Sequence, residues 1–398
     1  MKAIRSFIIC GSVLILTACE KSEPESFLGP YPESIESYPI GTPTPELHIS
    51  DNINQYVTKR ADWKQIVKDK TQFALGNAES KPFGVYKQWP WSTAHVRYRQ
   101  SYGTFPAIDG STVCIPMAAE FVWQFTDMSD AYPYVTLRFL NFSTTPVAYD
   151  KIIRGGTDKI INGGTTNGMI YKGITMNVLA EEYHFNKRPD IVLATHPSVY
   201  ELNKASNAGV KLIITPICYD SFIFITHKDN PVDNLTIEQI QKIYSGEITN
   251  WKEVGGEDLE IVAYQREPNS GSQTAMEEVV MKGIPMIKPP MERVPAEMGW
   301  LVDAVVYYKN NTMSLGYTYK YYIDRLYTSR DIKILKVDGI MPSDENIRNN
   351  SYAFITPYNA VIRSTDVNEV GGKFLNWMLS DEGQTCITQA GYVSIKDI

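Results

Sequence analysis

Residues 235–256 read LTIEQIQKIYSGEITNWKEVGG. Thr236 stands just before an apolar periodic run and Gln239 follows at the capping-box position, which predicts a helix start. Ile237, Ile240, Ile243 and Tyr244 share one face at helical spacing, and Gly246 fits the left-handed stop. That stripe is a core face, not a site. On either side, residues 191–194, 222–225, 261–264 and 360–362 are short apolar runs expected as buried strands, separated by helical stretches. The alternation predicts α/β layers with a largely parallel sheet. Near the C-terminus Val370, Phe374, Trp377 and Met378 form a second apolar stripe, and Ser380 opens a further short helix.

Composition bounds the function classes. The chain has 398 residues, 43% hydrophobic and 21% charged, which is ordinary for a globular protein with one or two cores. A formal charge of −7 argues against a protein devoted to the nucleic-acid backbone, although a local pocket for an anion need not share the sign of the whole surface. Cys10, Cys19, Cys114, Cys218 and Cys386 form no CxxC and no zinc spacing, and the five histidines are scattered. Neither a disulfide framework, a metal nor a cofactor is indicated.

The N-terminus carries a targeting signal. Lys2 and Arg5 precede an apolar stretch over 7–16 that is too short to span a bilayer, so residues 1–18 read as a signal peptide. Leu16-Thr-Ala-Cys19 resembles the lipobox of bacterial lipoproteins, in which Cys19 becomes the acylated first residue; the alternative is a plain secretory signal with Cys19 incidental. Residues 19–45, rich in Pro, Ser, Glu and Gly, read as a tether. Residues 46–100 hold Trp63, Trp89 and Trp91 but no clean period, and no function is assigned to this extension. No later run reaches 18 apolar residues, so the expectation is lipid anchoring at a bacterial cell surface without a spanning helix. Cys114, Cys218 and Cys386 are expected as buried free thiols.

Three turns stand out as anion cradles. Asp109-Gly-Ser-Thr-Val113 opens into a helical pattern at Pro116; Asn269-Ser-Gly-Ser-Gln-Thr274 opens into another; Phe142-Ser-Thr-Thr145 leads into a third. A helix start offers unpaired N–H groups and a partial positive charge, and Ser or Thr hydroxyls add donors. Arg266 follows the 261–264 run, four residues before Ser270, and brings a planar fork of donors beside the second cradle. Taken singly, each turn reads first as an N-cap, and Arg266 first as a surface ion pair with Glu267 or a neighbouring carboxylate.

Residues 225–256, the element from Arg266 to Ser272, the 383–393 segment (GQTCITQAGYV), Asp109-Gly-Ser-Thr112 and Asp338-Gly-Ile-Met-Pro-Ser343 together resemble the phosphate-binding substrate proteins of bacterial ABC transporters. The resemblance covers roughly residues 105–398. It implies a type II periplasmic-binding fold: two α/β lobes with mostly parallel sheets flanked by helices, joined by two hinge crossings near 219–224 and 352–357. The lobes are then 101–217 plus 354–398, and 218–353. It also implies that Ser111, Thr112, Val113, Ser143 and Thr144 hold the anion from the first lobe, and Arg266, Ser270, Gly271 and Ser272 from the second. Closure of the lobes turns binding into a shape change that a permease reads.

Two departures from that family pattern matter. The acidic acceptor expected at a first-lobe strand exit is replaced by Ala194-Thr-His-Pro-Ser198; Thr195 is a candidate contact, His196 reads as a solvent-facing loop residue, and Asp109 or Asp150 are alternative acceptors. A Gly/Thr/Asn-rich insertion over 155–187 is expected as a surface addition or a rim hairpin. The function these readings imply is an extracytoplasmic, lipid-anchored, monomeric receptor that captures phosphate or a similar tetrahedral oxyanion for an ABC importer, touching membrane only through lipid. The alternatives are a non-transport sensor or surface-interaction protein on the same fold, and a serine hydrolase using Ser270 or Ser272 with His196 or His227. No GxSxG, HExxH, Walker or Rossmann motif supports an enzyme, and no catalytic residue is assigned.

Overall fold

The computed structural model describes residues 64–73, 105–125, 142–155, 188–290, 293–295, 298–307, 311–327 and 331–398, with backbone pairing alone at 80–82, 96–98, 170–171 and 174–175. All lie within the unit Pro45–Ile398. The expected signal peptide, Cys19, the tether and Trp63, Trp89 and Trp91 fall outside the described residues.

Eight strands make one connected sheet: β1 Ile108–Gly110, β2 Ile191–Ala194, β3 Leu212–His227, β4 Val262–Ala263, β5 Ser314–Tyr319, β6 Ile332–Ile334, β7 Ile355–Arg363 and β8 Val393–Ser394. Their order is β1-β2-β7-β3-β5-β4, with β6 and β8 also pairing with β3. The long strand β3 organises everything. Its residues 212–221 pair antiparallel with β7, and at Phe222 it changes neighbours, pairing with β5 over 222–226 and with β6 over 225–227. Sixteen residues at about 3.3 Å each give a strand of roughly 50 Å, long enough to serve two sets of neighbours.

The sheet is mixed, which corrects the expectation of two mostly parallel sheets. Among the pairings within it, only β1 with β2 and β4 with β5 are parallel; β7 lies antiparallel to both β2 and β3. The reason is that β3 and β7 run past each other in opposite directions. Where β3 changes neighbours, Phe222 N–H donates to Phe354 O (2.9 Å) and Tyr352 Oη donates to Phe222 O (3.0 Å).

Helices cover the sheet: α1 Ile115–Phe125, α2 Thr145–Arg154, α3 Val199–Asn207, α4 Ile237–Ser245, α5 Gly271–Ala275, α6 Met298–Tyr307, α7 Asp344–Arg348, α8 Val370–Met378 and α9 Asp381–Gln389. The helix read from residues 235–246 forms as expected: Thr236 and Gln239 make the capping box, Gly246 stops it at φ 86°, and Ile240, Ile243 and Tyr244 are buried. Ser380 caps α9, and Phe374, Trp377 and Met378 of α8 are buried. Cys114, Cys218 and Cys386 are free and buried.

Part of the N-terminal extension belongs to the core. Val67 and Phe73 are buried, and the Phe73 ring meets Phe374 at 5.0 Å and Phe125 at 5.4 Å, edge to face. The Gln124 side chain fixes this segment, its Oε1 accepting from Ile66 N–H (2.7 Å) and Val67 N–H (3.1 Å) and its Nε2 donating to Lys64 O (2.9 Å). Within the 155–187 insertion, residues 170–171 pair antiparallel with 174–175. No helix among the described residues is long and apolar enough to cross a membrane.

Candidate functional site

Strands β1 and β2 run in parallel register, with Gly110 opposite Leu193, and both end at one edge of the sheet. A Cβ on Gly110 would lie 1.9 Å from the Leu193 carbonyl oxygen. Only glycine brings the turn close enough for Ser111 N–H to donate to that carbonyl at 2.9 Å. The chain then enters a 3-10 turn at Thr112–Cys114 and continues into α1. The Thr112 and Val113 N–H groups therefore precede any intrahelical acceptor and carry the positive end of the helical run.

Asp109 ties this turn to the start of α2. Its carboxylate accepts from Gly110 N–H, Ser143 N–H and Ser143 Oγ, each at 2.7 Å, and from Lys151 Nζ at 2.8 Å. With four donors, Asp109 is a buried structural anion and not a spare acceptor, and Ser143 spends both donors on it. Asp150, the other alternative acceptor, pairs with Arg154 at 2.8 Å and with Lys204. Neither carboxylate is available to a ligand, which corrects that expectation. Thr144 is exposed at φ 81° and makes no capping bond, while Thr145 behind it is buried.

The second cradle opens α5. Asn269 takes a left-handed φ of 63°, and Ser270 is the N-cap, its Oγ accepting the Gln273 N–H. Gly271 is where the two cradles meet: a Cβ there would lie 2.3 Å from Thr195 Oγ1 and 3.2 Å from Thr145 Oγ1. Beside it, Ser198 Oγ donates to Asn269 Oδ1 at 3.0 Å, and His196 Nδ1 lies 3.8 Å from Glu278 Oε2 at the rim. His196 is exposed, as expected.

Arg266 is buried, 8% exposed, not the surface ion pair of the alternative reading. Its N–H is shared between Gln273 Oε1 and Tyr317 Oη, both at 3.0 Å, and its Nε donates to Pro295 O at 3.1 Å. Tyr319 Oη donates to Gly271 O (3.0 Å), and Tyr149 Oη to Thr195 O (2.6 Å). Burial pushes the Tyr149, Tyr317 and Tyr319 phenols up, so they stay protonated and donate at neutral pH.

Two hydroxyls flank Gly271 unsatisfied. Thr195 Oγ1, near the Tyr319 phenol, and Ser272 Oγ are both buried and accept or donate no well-formed hydrogen bond among the described residues. A buried hydroxyl left unpaired costs about 1–3 kcal/mol, so each of the two is a donor with no partner of its own. Thus Thr195, Gly271 and Ser272 come together, Ser111, Thr112 and Val113 share the sheet edge with Thr195, and Arg266 is locked to α5 through Gln273. Ser143, Thr144 and Ser270 shape the turns instead.

Sequence reading missed Thr145, Ser198, Glu201 and the phenols. Glu201 had a signal, since Ser198-Val-Tyr-Glu201 is a capping box; Glu201 Oε2 accepts from Ser198 N–H (2.8 Å) and Ser198 Oγ (3.2 Å). Burial pushes the Glu201 carboxyl up to about 7, against the pull of the Ser198 donors. Behind the site, at the point where β3 changes neighbours, Asp220 is buried, its carboxylate accepting from Ser221 N–H (2.7 Å), Tyr358 Oη (2.8 Å) and Tyr321 N–H (3.2 Å). Burial pushes it up to about 7. A cavity of about 30 Å³, room for one water, lies beside it against Lys320 and Asp344.

The model of the PBP superfamily domain matches residues 176–382. A phosphate-binding protein PstS of Borreliella burgdorferi is 28% identical over 191 residues, 46% of this chain and 66% of that protein. A phosphate-binding protein PstS of Staphylococcus epidermidis is 30% identical over 203 residues, 49% of this chain and 60% of that protein. The match thus spans less than two thirds of either relative's own length. A crystal structure of a putative phosphate ABC transporter substrate-binding protein with bound phosphate, from Clostridium perfringens, aligns over 72% of this chain and 98% of that one, at 27% identity and a TM-score of 0.49.

Proposed function

Because the chain belongs to the PBP superfamily, we propose that it is an extracytoplasmic solute-binding protein that captures phosphate between two lobes and delivers it to an ABC importer. The lobes are 101–217 plus 354–398, and 218–353, with β3 and the start of β7 as the crossings between them. One observation carries the reading. Gly271 of the second lobe meets Thr195 and Thr145 of the first, flanked by the unsatisfied hydroxyls of Thr195 and Ser272. A tetrahedral oxyanion with several acceptor atoms fits such a convergence of donors, and Arg266 supplies the opposing charge. Thr112 and Val113 N–H groups complete the cradle from the first lobe.

The chemistry is binding without turnover. Ser270 Oγ serves its own helix cap, and the His196 ring lies against Pro197 O and Glu278, so these two are not arranged as nucleophile and base. His227 stands at the far end of β3, beside Asp229. Acylation at Cys19 would hold the receptor at the membrane, with lipid as its only contact there.

Calorimetric titration of the full chain with phosphate, sulfate, molybdate and arsenate tests the reading. Phosphate binds, and Arg266→Ala weakens it by about 2–5 kcal/mol, or roughly 30-fold at the least, because a buried anion loses its charged partner. Absence of phosphate binding by the unaltered chain, or indifference to Arg266→Ala, overturns it.

A further inference from the structure

The short loop between β2 and α3 lies along the second cradle residue by residue. Thr195 is against Gly271, Ser198 bonds Asn269, and His196 faces Glu278. The His196 contact is long and its partners are half exposed, so it contributes little. The Ser198 contact is different. Ser198 is 6% exposed, and its hydroxyl has two acceptors within reach, Asn269 Oδ1 at 3.0 Å and Glu201 Oε2 at 3.2 Å. One hydroxyl carries one proton and satisfies one acceptor at a time. Glu201 belongs to the same helix cap and is present in any state of the cleft, whereas Asn269 is brought up only when the two cradles meet.

Asn269 itself is held in a left-handed conformation directly before the cap of α5. Asparagine is among the few side-chain-bearing residues that adopt it readily, and here its amide reaches across. In either orientation of that amide, oxygen or nitrogen toward Ser198, the contact is a hydrogen bond. We propose that Ser198 and Asn269 form a clasp across the cleft that holds the closed state over the bound anion, with Glu201 as the positioning residue that stores the Ser198 hydroxyl when the clasp is open. This rests on the anion-capture reading and adds to it which residues set the rate of release.

The variants that open the clasp are Ser198→Ala, which removes the hydroxyl and with it the α3 cap, and Asn269→Gly, which leaves that cap intact, removes the amide and keeps the left-handed backbone free of strain. Stopped-flow release of phosphate from the full chain is expected to quicken two- to tenfold in each single variant, with the association rate nearly unchanged, and no further in the double variant. Unchanged release in the single variants, or additive effects in the double, overturns the clasp while leaving anion capture standing. A second measurement does not depend on phosphate: the clasp also favours the closed population of the anion-free chain, so amide hydrogen exchange without added anion should quicken over 271–274 in Ser198→Ala, a segment far from the substitution in sequence. If exchange there is unaltered, the clasp is wrong; if the unaltered chain binds no phosphate, the capture reading fails and this exchange result alone judges the contact.

Discussion

Substituting Gly271 by alanine tests the convergence of the two cradles most directly. The added Cβ would lie 2.3 Å from Thr195 Oγ1 and 3.2 Å from both Thr145 Oγ1 and Thr195 Cγ2. Ordinary contact begins near 3.5 Å, so about 1 Å of space has to be opened at the centre of the closed site. Overpacking of this kind costs about 1–3 kcal/mol, and all of it falls on the closed state, which predicts phosphate binding weaker by roughly 5- to 150-fold. The helix start gains instead, by at most the roughly 0.5–1 kcal/mol that alanine holds over glycine in a helix interior. Affinity and ligand-free stability should thus move in opposite directions, read by calorimetry and by urea unfolding of the anion-free chain. In a Thr195→Ala background the same glycine change should cost much less, since only Thr145 Oγ1 remains close. Binding unaltered by Gly271→Ala, or an equal loss in both backgrounds, would refute the geometry.

Three further outcomes are expected. Asp109→Ala removes the common acceptor of Gly110 N–H, both Ser143 donors and the Lys151 ammonium, which should destabilise the chain by about 3–5 kcal/mol in urea unfolding; a loss under about 1 kcal/mol would show that the carboxylate does not tie the first cradle together. Asp220 titrates at about 7 when folded, above its unfolded value near 3.8, so the folded chain holds the extra proton between those limits. Its contribution therefore makes stability fall as pH rises from about 4 to about 7, by about 4 kcal/mol at most, and level off above. Asp220→Asn carries no titrating group there, so its stability relative to the unaltered chain should shift in the variant's favour by about 2–3 kcal/mol between pH 5 and pH 8, and a difference independent of pH would remove Asp220 as the source. Cys19→Ser should abolish the lipid mass increment on the N-terminal peptide in mass spectrometry, and an increment that persists would locate acylation elsewhere.

What local pattern encodes was legible, and what distance encodes was not. The α4 helix, its caps and its buried face followed from spacing alone, because an N-cap, a 3.6-residue stripe and a glycine stop lie within a dozen residues. The full length of β3 did not. Pro216 interrupts the run LIITPICYDSFIFITH, and proline in a strand is tolerated only where the ladder is broken; here it pairs with Asn359 at the bulge beside Tyr358. The part played by residues 64–73 was hidden for another reason, since the segment carries few apolar residues and is fixed by the buried Gln124 side chain, which reads as polar surface in any one-dimensional pattern. Asp109 shows the same limit at the site. Residue type marked it as a possible acceptor, but availability depends on Ser143 and Lys151, which only the fold brings up.

The cradles divide along this line too. Each turn was visible as a short Ser/Thr/Gly passage opening a helix, while their meeting was not, because Thr195 and Gly271 or Ser198 and Asn269 lie more than seventy residues apart along the chain. Their approach therefore cannot be written into either turn. It is written into the choice of glycine at 271, which removes the one atom that would keep the turns apart, and of asparagine at 269, which accepts the left-handed backbone and still carries an amide. Both positions look like ordinary turn chemistry when read singly, and the close approach of Thr195 to Gly271 is what sets them apart from two unrelated helix caps.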